Sequence, residues 1–135
     1  MGRTRSELRE VAVKVLYETY ILDNAKIDYN IKDLIKEEME LDNEFVESLV
    51  NGVKENQDCI NNLANKYLVG WEIDRLSKVD KAIIGIGIYE LIFTEIPNIV
   101  AINEAIELSH KYSDEKVSKM INAMLDKINK EYEDE

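Results

Sequence analysis

The chain has 135 residues, a formal net charge of −11, 45% hydrophobic residues and 33% charged ones. That is the balance of one globular domain over 1–135 with a sizeable core, and it excludes a disordered segment or a protein that coats nucleic acid non-specifically. Five glycines and one proline are too few turn residues for a β-sandwich of this size. No apolar run approaches the roughly 18 residues that cross a bilayer. The opening Met1-Gly2-Arg3-Thr4-Arg5 leads into Glu7 and Glu10 rather than into an apolar signal core. Cys59 is the single cysteine, so neither an internal disulfide nor a Cys/His zinc site is available, and the cytoplasm is the expected compartment.

A first helix is predicted from Thr4 or Arg5 to Ile21, with Leu8, Ala12, Val15 and Leu16 on one stripe. Arg5 and Arg9, four apart, share another face. Val13, Tyr17 and Tyr20 form a second apolar stripe, more than one surface helix needs. In this stretch Arg3, Arg5, Arg9 and Lys14 oppose Glu7, Glu10 and Glu18, leaving it slightly positive, whereas acids dominate from Asp23 to Asp58. A nucleic-acid site on this chain must therefore be local.

A turn at Asp23-Asn24 is expected to lead to a short helix carrying Ile31, Leu34, Ile35 and Met39. Asp42 is a possible cap for the next, which buries Phe45, Val46, Leu49, Val50 and Val53. After a break near Asn56 to Asp58 the pattern resumes with Ile60, Leu63, Ala64, Tyr67 and Leu68, and Gly70 is a natural stop. Trp71 to Leu76 reads as a turn or a single helical turn. Ser77-Lys78-Val79-Asp80 reads as a capping box opening Val79 to Phe93, the most apolar segment. Gly85-Ile86-Gly87-Ile88-Tyr89 alternates like a strand. It is nevertheless predicted helical, because no second strand exists to pair with it; each glycine costs a helix about 1 kcal/mol, so a closely packed neighbour is the expected compensation. Pro97 separates this helix from one lined by Ile102, Ala105, Ile106 and Ser109. Ser113-Asp114-Glu115 starts the last, with Val117, Met120, Ile121, Met124, Leu125 and Ile128 on its stripe and a frayed tail at 131–135. About seven helices in an all-α unit result, with no internal repeat or linker.

Nothing in this pattern supplies catalysis. His110 is the sole histidine and has no nucleophile in its neighbourhood, there is no phosphate-binding glycine loop, and no carboxylate pair is singled out. No catalytic residue, metal site or cofactor is expected.

The order of signals resembles the NusB family along nearly the whole chain. Arg3-Thr4-Arg5-Ser6-Glu7-Leu8-Arg9-Glu10 with Val15-Leu16-Tyr17 is similar to the basic opening of NusB proteins. Phe45 with Leu49-Val50-Asn51-Gly52-Val53, Lys66-Tyr67-Leu68 before Trp71, Arg75-Leu76-Ser77-Lys78-Val79-Asp80 and Ile88-Tyr89-Glu90-Leu91 follow in order. Ile96-Pro97 with Val100-Ala101-Ile102-Asn103-Glu104-Ala105 is the most specific piece, and Met120-Ile121-Asn122-Ala123-Met124-Leu125-Asp126 resembles the family's closing motif.

The resemblance implies an all-α fold of two three-helix subdomains and a part in processive transcription of ribosomal RNA operons. It implies two partners, NusE (a ribosomal small-subunit protein) and the single-stranded boxA element of nascent RNA, within an RNA polymerase antitermination complex. Arg3, Arg5 and Arg9 are the first RNA candidates, since guanidinium groups fork onto phosphates and stack on bases; the competing reading pairs them with Glu7 and Glu10. Tyr67 can stack a base or pack beside Leu63 and Leu68. Tyr17 and Asp80 map to the NusE contact, and Asp80 serves equally as a helix cap.

The chain departs from the family at Gly85, where a basic residue is usual, at Met120 for Phe and at Ala123 for Gly. Lys116 and Lys119 place positive charge at the start of the final helix, so Lys116, Lys119 and Met120 complete the RNA set. The surplus stripe of the first helix can be buried against NusE or in a homodimer. Two other readings stay open: a NusB-like accessory domain of a ribosomal RNA methyltransferase, disfavoured because the chain ends at Glu135 without a catalytic domain, and a helical interaction module with no RNA role.

Overall fold

In the computed structural model, which describes residues 3–132, seven α-helices and one 3-10 turn follow in order: α1 Arg5–Ala25, α2 Ile31–Met39, α3 Glu44–Glu55, α4 Gln57–Tyr67, the turn Ile73–Arg75, α5 Lys78–Phe93, α6 Asn98–Tyr112 and α7 Glu115–Glu131. Helices α1, α2 and α3 pack on one another as a three-helix bundle, and α4 to α7 form the second, which therefore has one helix more than the resemblance implies. The seam between them is made by α5 against α1 and α3. None of these helices is long and apolar enough to cross a membrane. The tail expected to fray lies largely at 133–135, outside the described residues.

Helix α1 starts on a reciprocal cap: the Thr4 hydroxyl accepts the Glu7 N–H at 3.1 Å and the Glu7 carboxylate accepts the Thr4 N–H at 2.8 Å, an arrangement worth about 1 kcal/mol. The helix runs four residues past the end expected at Ile21, straight through the turn expected at Asp23-Asn24. Asp23 does not break it, because its carboxylate is engaged from outside by the Lys54 ammonium and the Tyr29 hydroxyl. The reversal comes at Lys26, which takes a left-handed φ of 58° while the Ile27 N–H reaches back to the Leu22 carbonyl at 3.0 Å. The cap of α3 is Asn43, not Asp42: the Asn43 side chain accepts the Val46 N–H at 3.0 Å, and Asp42 faces Lys36. The breaks foreseen at Asn56 and before Asp114 are where the chain turns.

Helix α5 is the axis of the molecule. It touches α1, α3, α4, α6 and α7, and every residue from Ala82 to Ile88 is buried. A helix enclosed all round has no polar face to show, which is why its sequence carries no helical periodicity and its isoleucines imitate a strand. Burying each isoleucine contributes about 1.5–3 kcal/mol, which outweighs the few tenths lost through β-branching. The two glycines admit neighbours as expected. A Cβ on Gly85 would stand 2.9 Å from a Val53 methyl, and one on Gly87 3.1 Å from the Ala105 Cβ and 3.3 Å from Leu125.

Only half of the capping box at Ser77 forms. The Ser77 hydroxyl accepts the Asp80 N–H at 3.1 Å, but the Asp80 carboxylate turns to the Ser113 hydroxyl at the end of α6. It thereby ties the start of α5 to the α6–α7 corner. His110 is exposed and shares a hydrogen-bonded chain with Ser118 and Ser109, which is a structural role.

Candidate nucleic-acid interface

The three N-terminal arginines do not behave alike. Arg3 and Arg5 are exposed, whereas Arg9 is only 3% exposed. Its guanidinium forks onto Glu90 at 2.8 and 2.9 Å, with a third bond to Glu104 at 3.1 Å. Burial works against the Arg9 charge, and the hydrogen bonds and charge of Glu90, with Glu104 behind them, more than restore it, so its pKa is raised. The expectation that Arg9 meets RNA is therefore corrected: its fork is spent inside the α1–α5–α6 seam.

Among the described residues no ion pair within 4 Å joins the arginines to Glu7 or Glu10, although the Arg3 charge contributes to holding the Glu7 pKa low, behind the hydrogen bonds from Thr4. Glu7 is committed to Thr4. Glu10 accepts the Lys111 ammonium at 2.6 Å and the Tyr112 hydroxyl at 2.8 Å, and the Lys111 bond foremost pulls its pKa below the ordinary carboxylate value. Arg5 instead lays its guanidinium over the Phe45 ring, 4.1 Å from the centroid, and no described carboxylate pairs with it. Phe45, expected in the core, is only half-buried and forms part of this surface. The sequence held no signal for it beyond its place in a helical stripe.

A second cluster lies where α4 meets α7. Tyr67 is half-buried with the Lys66 ammonium 5.3 Å from its ring centroid. Trp71 is 38% exposed and carries the Lys116 ammonium 5.6 Å from its ring. Trp71 was legible as a motif residue but not as a site residue. Lys119 pairs with Glu115 at 3.4 Å, both highly exposed, an interaction worth little. Met120 is half-buried against the core. Helix α6 links the two clusters. Glu104 accepts the Ser6 hydroxyl at 2.7 Å near the start of α1, and α6 ends at Tyr112, two residues before Asp114 caps α7. At 1.5 Å per residue, the eight positions from Glu104 to Tyr112 span roughly 12 Å of this helix.

The two residues of the expected partner face differ in exposure. Tyr17 is 40% exposed, with Ile21 exposed one turn on. Asp80 is 8% exposed with its carboxylate on Ser113, so it is corrected from a contact carboxylate to a tie within the fold. Beside this face lies a cleft not foreseen. The Lys54 and Lys81 ammonium groups each stand 4.8 Å from the Tyr20 ring centroid. Asp23 and Asp74 pair with them, and Lys78 completes the lining. Burial pushes the Tyr20 phenol well above its ordinary pKa. Among the described residues, no cluster of His, Cys, Asp and Glu could hold a metal ion.

Comparison with known proteins agrees with this architecture. The NusB family profile matches residues 6–130. The chain is 37% identical to the transcription antitermination protein NusB of Bacillus subtilis over 130 residues, covering 96% of this chain and 97% of that protein. It is 38% identical to the NusB of Ruminiclostridium cellulolyticum over 133 residues, covering 96% and 90%. Among solved structures, NusB of T. maritima superposes with a TM-score of 0.80 at 31% identity, covering 97% of this chain and 94% of that one. A chain from the crystal structure of the antitermination factors NusB and NusE in complex with dsRNA superposes with a TM-score of 0.78 at 29% identity, covering 98% and 100%. With a family profile spanning almost every residue and relatives matched nearly end to end, this chain belongs to the NusB family.

Proposed function

We propose that this chain is a transcription antitermination factor that binds boxA-type RNA of ribosomal RNA operons together with NusE, in the cytoplasm, as part of the RNA polymerase antitermination complex. The observation that carries the reading is a pattern of commitment. In a chain of net charge −11, Arg5 and Lys116 rest on the half-buried Phe45 ring and the exposed Trp71 ring with no described carboxylate partner, so their charge is left for phosphate and the Trp71 ring for a base. Arg3 and Lys119 extend the two clusters, with Tyr67 and Met120 as flanking surface. Family membership and the similarity to a NusB crystallised with NusE and dsRNA support the choice of partners. Tyr17 and Ile21, beside the lysine-flanked cleft at Tyr20, are the seat we assign to NusE.

A titration of boxA-like RNA with and without NusE, at two salt concentrations, tests this. Each phosphate contact to a single strand adds about 0.7 to the slope of log affinity against log salt. Replacing Arg3, Arg5 and Lys116 by Ala is expected to flatten that slope by about 2. Undetectable RNA binding with NusE present overturns the RNA half. Unchanged NusE binding in Tyr17→Asp overturns the partner seat.

A further inference from the structure

Arg5 is anchored on Phe45, and Phe45 in turn meets the buried, doubly bonded guanidinium of Arg9. The Arg5 guanidinium carbon lies 4.1 Å from the ring centroid and that of Arg9 5.3 Å. Arg9 cannot move, because Glu90 grips it by two bonds with both side chains almost wholly buried. Two guanidinium groups from α1, one fixed and one exposed, thus stand over one half-buried ring from α3. An exposed arginine otherwise samples many rotamers, and its ordering opposes binding. A guanidinium laid on a ring uses its faces there and keeps its in-plane N–H fork for an external anion.

We infer that Phe45 is the positioning residue of the RNA site: its ring, held against the buried Arg9–Glu90 pair, pre-orients Arg5 for phosphate. This rests on the RNA reading above. The ring itself touches no RNA in this scheme; its contribution passes through Arg5.

The test is a double-mutant cycle on RNA binding with NusE present, using Phe45→Leu, Arg5→Ala and the pair, with thermal unfolding of each. Arg5→Ala is expected to weaken binding about tenfold, the low end for hydrogen bonds to a charged group. Phe45→Leu is expected to weaken it about two- to fivefold, the scale of an exposed cation–π contact. In the Arg5→Ala background Phe45→Leu should change nothing further, and Phe45→Tyr should restore wild-type affinity. Arg5→Lys, which leaves Phe45 untouched, keeps the charge but not the planar fork and should bind more weakly than wild type. An independent readout is the Arg5 side-chain NMR signals, shifted upfield by the ring in wild type and relaxed in Phe45→Leu. Additive losses in the cycle, wild-type affinity in Arg5→Lys, or unshifted Arg5 signals overturn the positioning role while leaving the RNA function standing. If wild type binds no RNA even with NusE, the function and this inference fall together.

Discussion

Removing one partner of the Arg9–Glu90 pair should be the most damaging single polar change in the molecule. Arg9 and Glu90 are 3% and 1% exposed and bonded at 2.8 and 2.9 Å. With charge centres about 4 Å apart and an effective dielectric near 20, their attraction is about 4 kcal/mol. Deleting one member also leaves the other buried and uncompensated, and the measured cost of breaking such pairs is about 3–5 kcal/mol. Glu90→Gln should sit at the lower end, since Glu104 still answers Arg9 at 3.1 Å; Arg9→Ala, which strands Glu90, should sit at the upper end. For a chain of this length the fall in Tm is about 10–15 °C, read by circular dichroism during heating. The paired change Arg9→Met with Glu90→Leu should return to within about 2 kcal/mol of wild type in stability. A loss below 1 kcal/mol in Arg9→Ala together with weakened RNA binding would refute the reasoning, because Arg9 would then be acting at the surface.

Gly52→Ala should cost about 2–4 kcal/mol in urea unfolding, since its Cβ would fall 2.1–2.5 Å from the Tyr89 ring and hydroxyl and the ring would have to leave. Glu18 has its pKa raised by burial and then by Glu37 and Glu38. The folded state therefore binds its proton more readily, and Glu18→Gln should be more stable than wild type by about 0.5 kcal/mol at pH 7, the gain vanishing as pH falls toward 4. Glu10, held low by Lys111, contributes the opposite way: the deficit of Glu10→Gln at pH 7 should close as pH drops below 4.5. Tyr29 and Tyr112 are pushed up to about 12, by burial first and then by Asp23 and Glu10. Absorbance at 295 nm should show two of the seven tyrosines still protonated near pH 11, and Tyr20 with them. Their contribution to stability is whole below pH 10 and lost as pH rises through 12.

The helices and most of their ends were legible because their signals are local. Asn56, Ser77, Pro97 and Asp114 act within one turn of themselves. The misread ends show where locality fails: Asp23 is captured by Lys54, 31 residues away, and so continues a helix it looked fit to end. Asp42 and Asn43 are equivalent as letters, and only the angle of entry into α3 chooses between them. Helix α5 was recovered by elimination, since a fully enclosed helix and a buried strand are written in the same residues. The site suffered most. Arg9 and Arg5 are alike on a helical projection, but Glu90, 81 positions along, claims one and leaves the other out. Phe45 and Asp80 were misread for the same reason: the ring expected inside faces the arginines, and the carboxylate read as either a partner contact or a helix cap is taken by Ser113.

The placement of α2 bears on how the molecule opens. Its nine residues lean on α1 and α3 and have no part in the contacts around α5, and a helix so short has little stability of its own. Leu34 and Ile35 alone are buried along it. In native-state hydrogen exchange α2 should therefore be released before any other helix, at a fraction of the global unfolding free energy. Such an event would bare the apolar flank of α1 while α5 to α7 stayed intact. Within the acidic bundle α2 is thus the piece poised to lift, while the helix that bears Tyr17 stays behind, packed on α5.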